Sequence, residues 1–114
     1  MGVIFEWDPV TNIYNKKIDF EYGPNGNGGR RPSGSLTLYD DKFYGTTSAG
    51  GEFGGGTIFE WDPATNIFLE KFYFDPFGGA GSYPQGNLTL KGDKFYGMTR
   101  QGGIDDVGTI FEWD

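Results

Sequence analysis

Apolar and polar positions along this chain alternate in short bursts of strand-like spacing, without the three-to-four-residue period of an amphipathic helix. The densest burst is Gly56-Thr57-Ile58-Phe59-Glu60-Trp61-Asp62, and it occurs three times. It stands earlier as Gly2-Val3-Ile4-Phe5-Glu6-Trp7-Asp8 and last as Gly108-Thr109-Ile110-Phe111-Glu112-Trp113-Asp114. A β-branched and aromatic phrase recurring at intervals of about 50 residues marks a repeat architecture.

The rest of the chain repeats with it. Pro32-Ser33-Gly34-Ser35-Leu36-Thr37-Leu38 matches Pro84-Gln85-Gly86-Asn87-Leu88-Thr89-Leu90, and Asp41-Lys42-Phe43-Tyr44-Gly45 matches Asp93-Lys94-Phe95-Tyr96-Gly97, both 52 residues apart. Trp7 and Trp61 are 54 apart, so the first copy carries two extra residues before Pro32, an insertion of the kind loops tolerate.

Each repeat reads as four short strands. Strand a (residues 36–38 or 88–90) leads through Asp40-Asp41 or Gly92-Asp93, a tight turn, into strand b (42–47 or 94–99). A Gly-rich loop leads to strand c, the repeated phrase. Asp-Pro-x-Thr-Asn (residues 8–12 and 62–66) then forms a turn, in which Pro fixes φ and Asp and Asn bond local backbone. Strand d (13–20 or 67–75) follows, and a long loop (22–33 or 76–85) returns to strand a. The chain is therefore c-d, a-b-c-d, a-b-c: a single repeat domain over 1–114, with repeat 1 at 2–55, repeat 2 at 56–107 and a third strand c at 108–114.

Four antiparallel strands per repeat, with a longer crossing to the next, predict all-β β-propeller blades, about two per chain. A sheet with one wet face alternates cleanly. Ile58, Phe59 and Trp61 crowd both faces instead, as do Phe72, Tyr73 and Phe74, which suits blades sandwiched between blades. Two blades cannot close a ring. The expected remedy is a homo-oligomer in which the c-d end of one copy completes the a-b-c end of another, three chains giving six blades and four giving eight. One strand c per chain is then surplus, and one of the two terminal copies is displaced or packs at an edge.

Composition narrows the function classes. The chain has 21 Gly, 18% aromatic residues and 22% charged residues, which agrees with a globular β protein. A net charge of −7, with Lys16-Lys17 and Arg30-Arg31 as the only adjacent basic pairs, argues against nucleic acid as a partner. Cysteine and histidine are both absent, removing disulfides, His-based zinc sites and the commonest general base. No apolar run approaches the roughly 20 residues of a membrane helix. Met1-Gly2 runs straight into strand sequence, without the basic start and apolar core of a signal peptide, and Glu6 stands where a myristoylation signal needs Ser or Thr. The start and the close in mid-phrase lead us to expect a fragment, an excised piece or a design.

The run Asp41-Lys42-Phe43-Tyr44-Gly45-Thr46-Thr47-Ser48-Ala49-Gly50-Gly51, followed by Gly54-Gly55-Gly56-Thr57-Ile58-Phe59, resembles the GloVer tandem repeat of "choice-of-anchor" bacterial surface proteins. The likeness covers both repeats. The second departs from the pattern at Met98, Arg100 and Asp105-Asp106-Val107. The resemblance implies a secreted or surface-displayed, kelch-like propeller without assigned catalysis or substrate.

Candidate chemistry has to be weighed against the repeat. Trp7, Trp61 and Trp113 suggest a carbohydrate-stacking set, and Glu6, Glu60 and Glu112 a carboxylate pair for glycoside hydrolysis. One residue type at one strand position in every repeat points instead to packing for the Trp, and to a strand-edge or channel-facing role for the Glu. The Gly clusters lack the Gly-Lys-Ser/Thr ending of a phosphate loop and serve as turns. Positions where the copies differ are better ligand candidates. These are Arg30 and Arg31 against Ser82 and Tyr83, Ser48-Ala49 against Arg100-Gln101, and Glu52-Phe53 against Ile104-Asp105. Placed on rim loops, Arg30, Arg31, Tyr83, Arg100 and Asp105 suit a sugar or peptide ligand, against drift on a solvated loop. Asp105-Asp106 is a calcium candidate, although it lacks the spaced Asp/Asn series such sites use. Asn87-Leu88-Thr89 fits a glycosylation sequon but opens an expected buried strand.

The expectation is a non-enzymatic, cofactor-free scaffold and binding module. The alternatives are a designed or excised repeat without a ligand, and a glycosidase- or lyase-like propeller, which needs a carboxylate or Tyr cluster confined to one blade.

Overall fold

A computed structural model of the chain describes residues 2–21 and 28–114. Among the described residues there are nine strands and no helix: β1 (Val3–Asp8), β2 (Ile13–Asp19), β3 (Gly29–Tyr39), β4 (Lys42–Gly50), β5 (Thr57–Asp62), β6 (Ile67–Tyr73), β7 (Ser82–Lys91), β8 (Lys94–Gln101) and β9 (Thr109–Trp113). They form three antiparallel sheets ordered β1-β2, β3-β4-β5-β6 and β7-β8-β9. This is the c-d, a-b-c-d, a-b-c series expected from the repeat.

Local chemistry sets the hairpins. Asp40 and Asp41 both take positive φ, 53° and 63°, as a two-residue type I′ turn between Tyr39 and Lys42 demands. At the c-d turn the Asp8 carboxylate accepts the Val10 amide at 2.8 Å, while its carbonyl accepts the Asn12 amide at 2.7 Å. Asn12 sits at φ 59°, and its side chain accepts the Trp7 indole N–H at 2.9 Å. Asp62, Ala64, Asn66 and Trp61 repeat every one of these bonds. The Asn of this turn therefore bonds a Trp, where the sequence suggested backbone.

The four-stranded sheet is buried on both faces, and successive residues feed different cores. Ile58 and Tyr44 join Phe74, Leu88 and Phe95 in the core shared with the β7-β8-β9 sheet. Phe59 and Trp61 join Ile4 and Phe20 in the core shared with the β1-β2 sheet. Pleating sends neighbouring side chains to opposite faces, so a strand with water on neither side shows no polar alternation. Phe59 is 2% exposed, and its ring lies over Gly45, where an added Cβ would come within 2.7 Å of it. Phe111 covers Gly97 in the same way.

The sheets approach most closely along β3, β4 and β7. There the repeated glycines meet: a Cβ on Gly34, at φ 76°, would collide with the carbonyl of Gly86, so only glycine fits. Two side-chain bonds tie the strands together beside them, Asn87 Oδ1 accepting the Ser35 amide at 2.6 Å and Thr37 donating to the Leu88 carbonyl at 2.7 Å.

The first strand of each repeat is longer than the apolar pattern indicated. The expected loops at 22–33 and 76–85 are strand from Gly29 and from Ser82 onward; residues 22–27 lie outside the described residues. The polar stretch 29–35 gave no strand signal because it carries no apolar alternation; pairing with β4 holds it, and register shifts follow between Ser33 and Thr37 and, in the other repeat, between Gln85 and Thr89. Strands d are shorter than expected, β2 closing at Asp19 and β6 at Tyr73.

Candidate functional site

Four of the five ligand candidates assigned to rim loops stand in strands. Arg30 and Arg31 lie in β3, Tyr83 in β7 and Arg100 in β8; Asp105 alone is in the loop between strands b and c. Arg31 and Tyr83, at equivalent positions, share an unusual backbone, with φ of 59° and 58°. The fold thus fixes the conformation here and leaves the side chain free to differ. Tyr83 and Arg100 come together, the Arg100 guanidinium lying 5.4 Å from the centre of the Tyr83 ring. In the other repeat the matching contact is between Ser48 and the Arg31 backbone, the hydroxyl donating to the carbonyl at 3.2 Å. The Asp106 carboxylate, part of the calcium candidate, accepts the Gly102 amide at 2.8 Å and so helps close its own loop. Among the described residues no group of three metal-ligating side chains converges.

The repeated glutamates have partners that the sequence reading passed over. The Tyr44 hydroxyl donates to Glu60 at 2.7 Å, with Lys42 Nζ 3.8 Å from the same carboxylate. Tyr96, Glu112 and Lys94 repeat the arrangement at 2.9 and 3.6 Å. Burial, together with the hydrogen bond to Glu60, holds the Tyr44 hydroxyl well above its ordinary pKa; for Tyr96 the bond to Glu112 is the larger cause. These tyrosines are proton donors at neutral pH, and each carboxylate is already engaged. Among the described residues, Glu6, the third copy, has Lys17 at 4.0 Å and no tyrosine bond, because its sheet has no strand b. The signal that could have exposed this set is the equal 52-residue spacing of Tyr44/Tyr96 and Lys42/Lys94, which move with the glutamate.

The tryptophans follow the same logic. Trp61 is buried and stacks on Phe43 at 5.7 Å, and Trp113 packs on Phe95 at 5.6 Å. Trp7 is 54% exposed, since among the described residues the β1-β2 sheet has no strand b to carry its Phe and no sheet faces its side as the β1-β2 sheet faces Trp61. One strand position therefore has two environments, set by whether strand b is beside it and a sheet faces it.

A concavity of about 370 Å³ lies at the open edge of β1. Ile4, Phe5 and Phe20 form one wall and Leu36, Gly45 and Phe59 the other, with Ser33 and Ser35 supplying polar atoms. None of these residues was a ligand candidate from the sequence. The cleft exists only because the sheets fold against one another.

Repeated antiparallel sheets stacked face to face, with each repeat reproducing the turns and bonds of the last, define an all-β tandem-repeat protein. The chain belongs to the Gloeobacter/Verrucomicrobia repeat family, whose profile matches residues 1–114. No curated protein and no solved structure matches it.

Proposed function

We propose that the chain is a run of kelch-like β-propeller blades, one complete and two partial. On this reading it is a non-enzymatic scaffold that closes into a symmetric ring with further copies of itself and offers its rim to a sugar or peptide. The observation that carries the reading is the four-stranded sheet β3-β4-β5-β6. It is an antiparallel meander with a separate apolar core on each face. It meets the next sheet most closely along its first strand, at Gly34 and Gly86. Propeller blades have this form, and they close around an axis beside their innermost strands.

A scaffold role fits the chemistry. Glu60 and Glu112 are each held by a tyrosine and a lysine in an identical arrangement, which argues for a repeated structural bond over a reactive centre confined to one blade. The Tyr83 and Arg100 pair, an aromatic face with a guanidinium above it, is the best ligand candidate on the rim.

Light scattering coupled to size exclusion tests the reading. A mass of three chains corresponds to six blades and a mass of four to eight. A chain that stays monomeric and folded across a hundredfold concentration range overturns it.

A further inference from the structure

We propose that copies of this chain join by strand exchange, β1 of one copy displacing β9 of the preceding copy to give a mixed sheet β7-β8-β1-β2. The inference rests on the propeller reading above and specifies how the ring closes.

Repeat symmetry supplies the argument. Wherever the four-stranded sheet faces the β7-β8-β9 sheet, the contact is complete: Tyr44, Ile58 and Phe74 on one side meet Leu88 and Phe95 on the other, flanked by Phe111 and Trp113. At the other face the equivalent residues are Ile4 and Phe20 on one side and Phe43, Phe59 and Trp61 on the other. Two members are not in place: Leu36, the counterpart of Leu88, is 38% exposed, and the counterpart of Tyr44 is missing because, among the described residues, the β1-β2 sheet has no strands a and b. The 370 Å³ cleft lies along that open edge. Its natural occupant is a strand b carrying a tyrosine where Tyr44 stands, and β8 carries Tyr96 there.

The exposed apolar residues at the two ends of the chain fit the same move. On β8 and β9, Met98 is 59% and Ile110 79% exposed, on the face of the end sheet turned away from the four-stranded sheet. On β1, Phe5 is 57% exposed, as is Trp7 nearly so, and these are the counterparts of Phe111 and Trp113. If β1 pairs with β8 of another copy, Phe5 and Trp7 take the places of Phe111 and Trp113 in that copy's core. Tyr96 and Met98 enter the cleft beside Leu36 and Phe59 of the incoming copy. Glu6 then meets Tyr96 as Glu60 meets Tyr44 at 2.7 Å, and Lys94 exchanges Glu112 for Glu6.

Which strand c yields follows from connectivity. Strand β1 is joined to β2 by a four-residue turn closed by the Asp8 and Asn12 bonds, so displacing it breaks a complete hairpin. Among the described residues, strand β9 pairs with β8 alone. Replacing β9 exchanges one ladder for another of the same register and adds the strand d that its sheet lacks. The bond given up is the one between the Thr99 and Thr109 hydroxyls, since Val3 occupies the position of Thr109; the Val3 N–H replaces that of Thr109 as donor to the Thr99 hydroxyl.

A disulfide tests the pairing, since the chain has no cysteine of its own. In the β8-β9 ladder Tyr96 stands opposite Glu112. After exchange it stands opposite Glu6 of the next copy. Within one chain Glu6 and Tyr96 belong to the two outer sheets, about 20 Å apart across the intervening one, far beyond disulfide reach. Oxidised Glu6→Cys/Tyr96→Cys should therefore give covalent multimers on a non-reducing denaturing gel, with the largest band at the mass found by light scattering. Tyr96→Cys/Glu112→Cys should remain largely uncrosslinked. If the native mass is three or four chains but the first variant stays single and the second closes within the chain, exchange is overturned and the propeller reading survives. A native monomer for the unmodified chain overturns both.

Discussion

Phe5, Phe59 and Phe111 occupy one strand position in three settings, and replacing each by Ala separates burial from sequence context. Phe59 is 2% exposed and lies between Phe20 and Phe68, with ring centroids at 5.3 and 5.2 Å. Truncation removes a ring from a dry core and uncovers Gly45, so a loss near the middle of the Phe→Ala range, about 4 kcal/mol, is expected. Phe5 is 57% exposed and stacks on Tyr14 at 5.4 Å. Less than half of a ring of roughly 200 Å² leaves water there, and at about 25 cal/mol per Å² the loss after allowing for the Ala methyl is about 1 kcal/mol. Phe111 is partly buried, flanking a core with Phe74 at 5.2 Å, and should fall between them at about 2–3 kcal/mol. Urea unfolding followed by Trp fluorescence on dilute, monomeric protein reads all three. With a slope of about 2 kcal/mol per M, Phe59→Ala moves the midpoint down by about 2 M and Phe5→Ala by about 0.5 M. Equal shifts for the two at concentration-independent midpoints would refute the layered packing. A Phe5→Ala loss that grows with protein concentration is the mark of the exchanged assembly, in which that ring is buried.

Other outcomes follow from the polar interior. Thr47 accepts the Thr57 amide at 3.1 Å and the Thr57 hydroxyl at 2.8 Å while donating to the Ala49 carbonyl, so Thr47→Val leaves a buried N–H unpaired; a loss of about 1–3 kcal/mol by chemical unfolding is expected. Arg31→Gly relieves a positive φ at an exposed position and should raise stability by about 0.5–1 kcal/mol in the same assay. Tyr44, Tyr73 and Tyr96 all have raised pKa values, so folding favours their neutral forms. Their contribution is complete below the ordinary tyrosine value near 10 and is lost as pH rises above it. Thermal midpoints should hold steady through neutral pH and fall above about pH 10. The fall should be shallower in Tyr44→Phe, and an unchanged alkaline slope in that variant would count against the Tyr44–Glu60 bond as its source.

The number, order and direction of the strands were legible in the sequence, because turn chemistry and strand patterning act over a few residues. Asp40-Asp41, Asp8 to Asn12 and the thrice-repeated phrase each specify a local backbone, and both copies of the Asp-Pro-x-Thr-Asn turn adopt the same one. Apolar residues on both faces of Ile58-Phe59 foretold a sheet buried on two sides. The beginnings of β3 and β7 were not legible, since their polar residues are held by pairing with β4 and β8 and by the close approach at Gly34 and Gly86. Nor did the sequence distinguish the three tryptophans or the three glutamates. Nearly identical phrases have nearly identical propensities, and it is the neighbouring strand and the facing sheet that make Trp61 core and Trp7 surface, and a neighbouring strand b that gives Glu60 its tyrosine. The cleft beside β1 has the same origin: it is made by what the β1-β2 sheet lacks, and a missing neighbour leaves no mark on the residues that would have touched it.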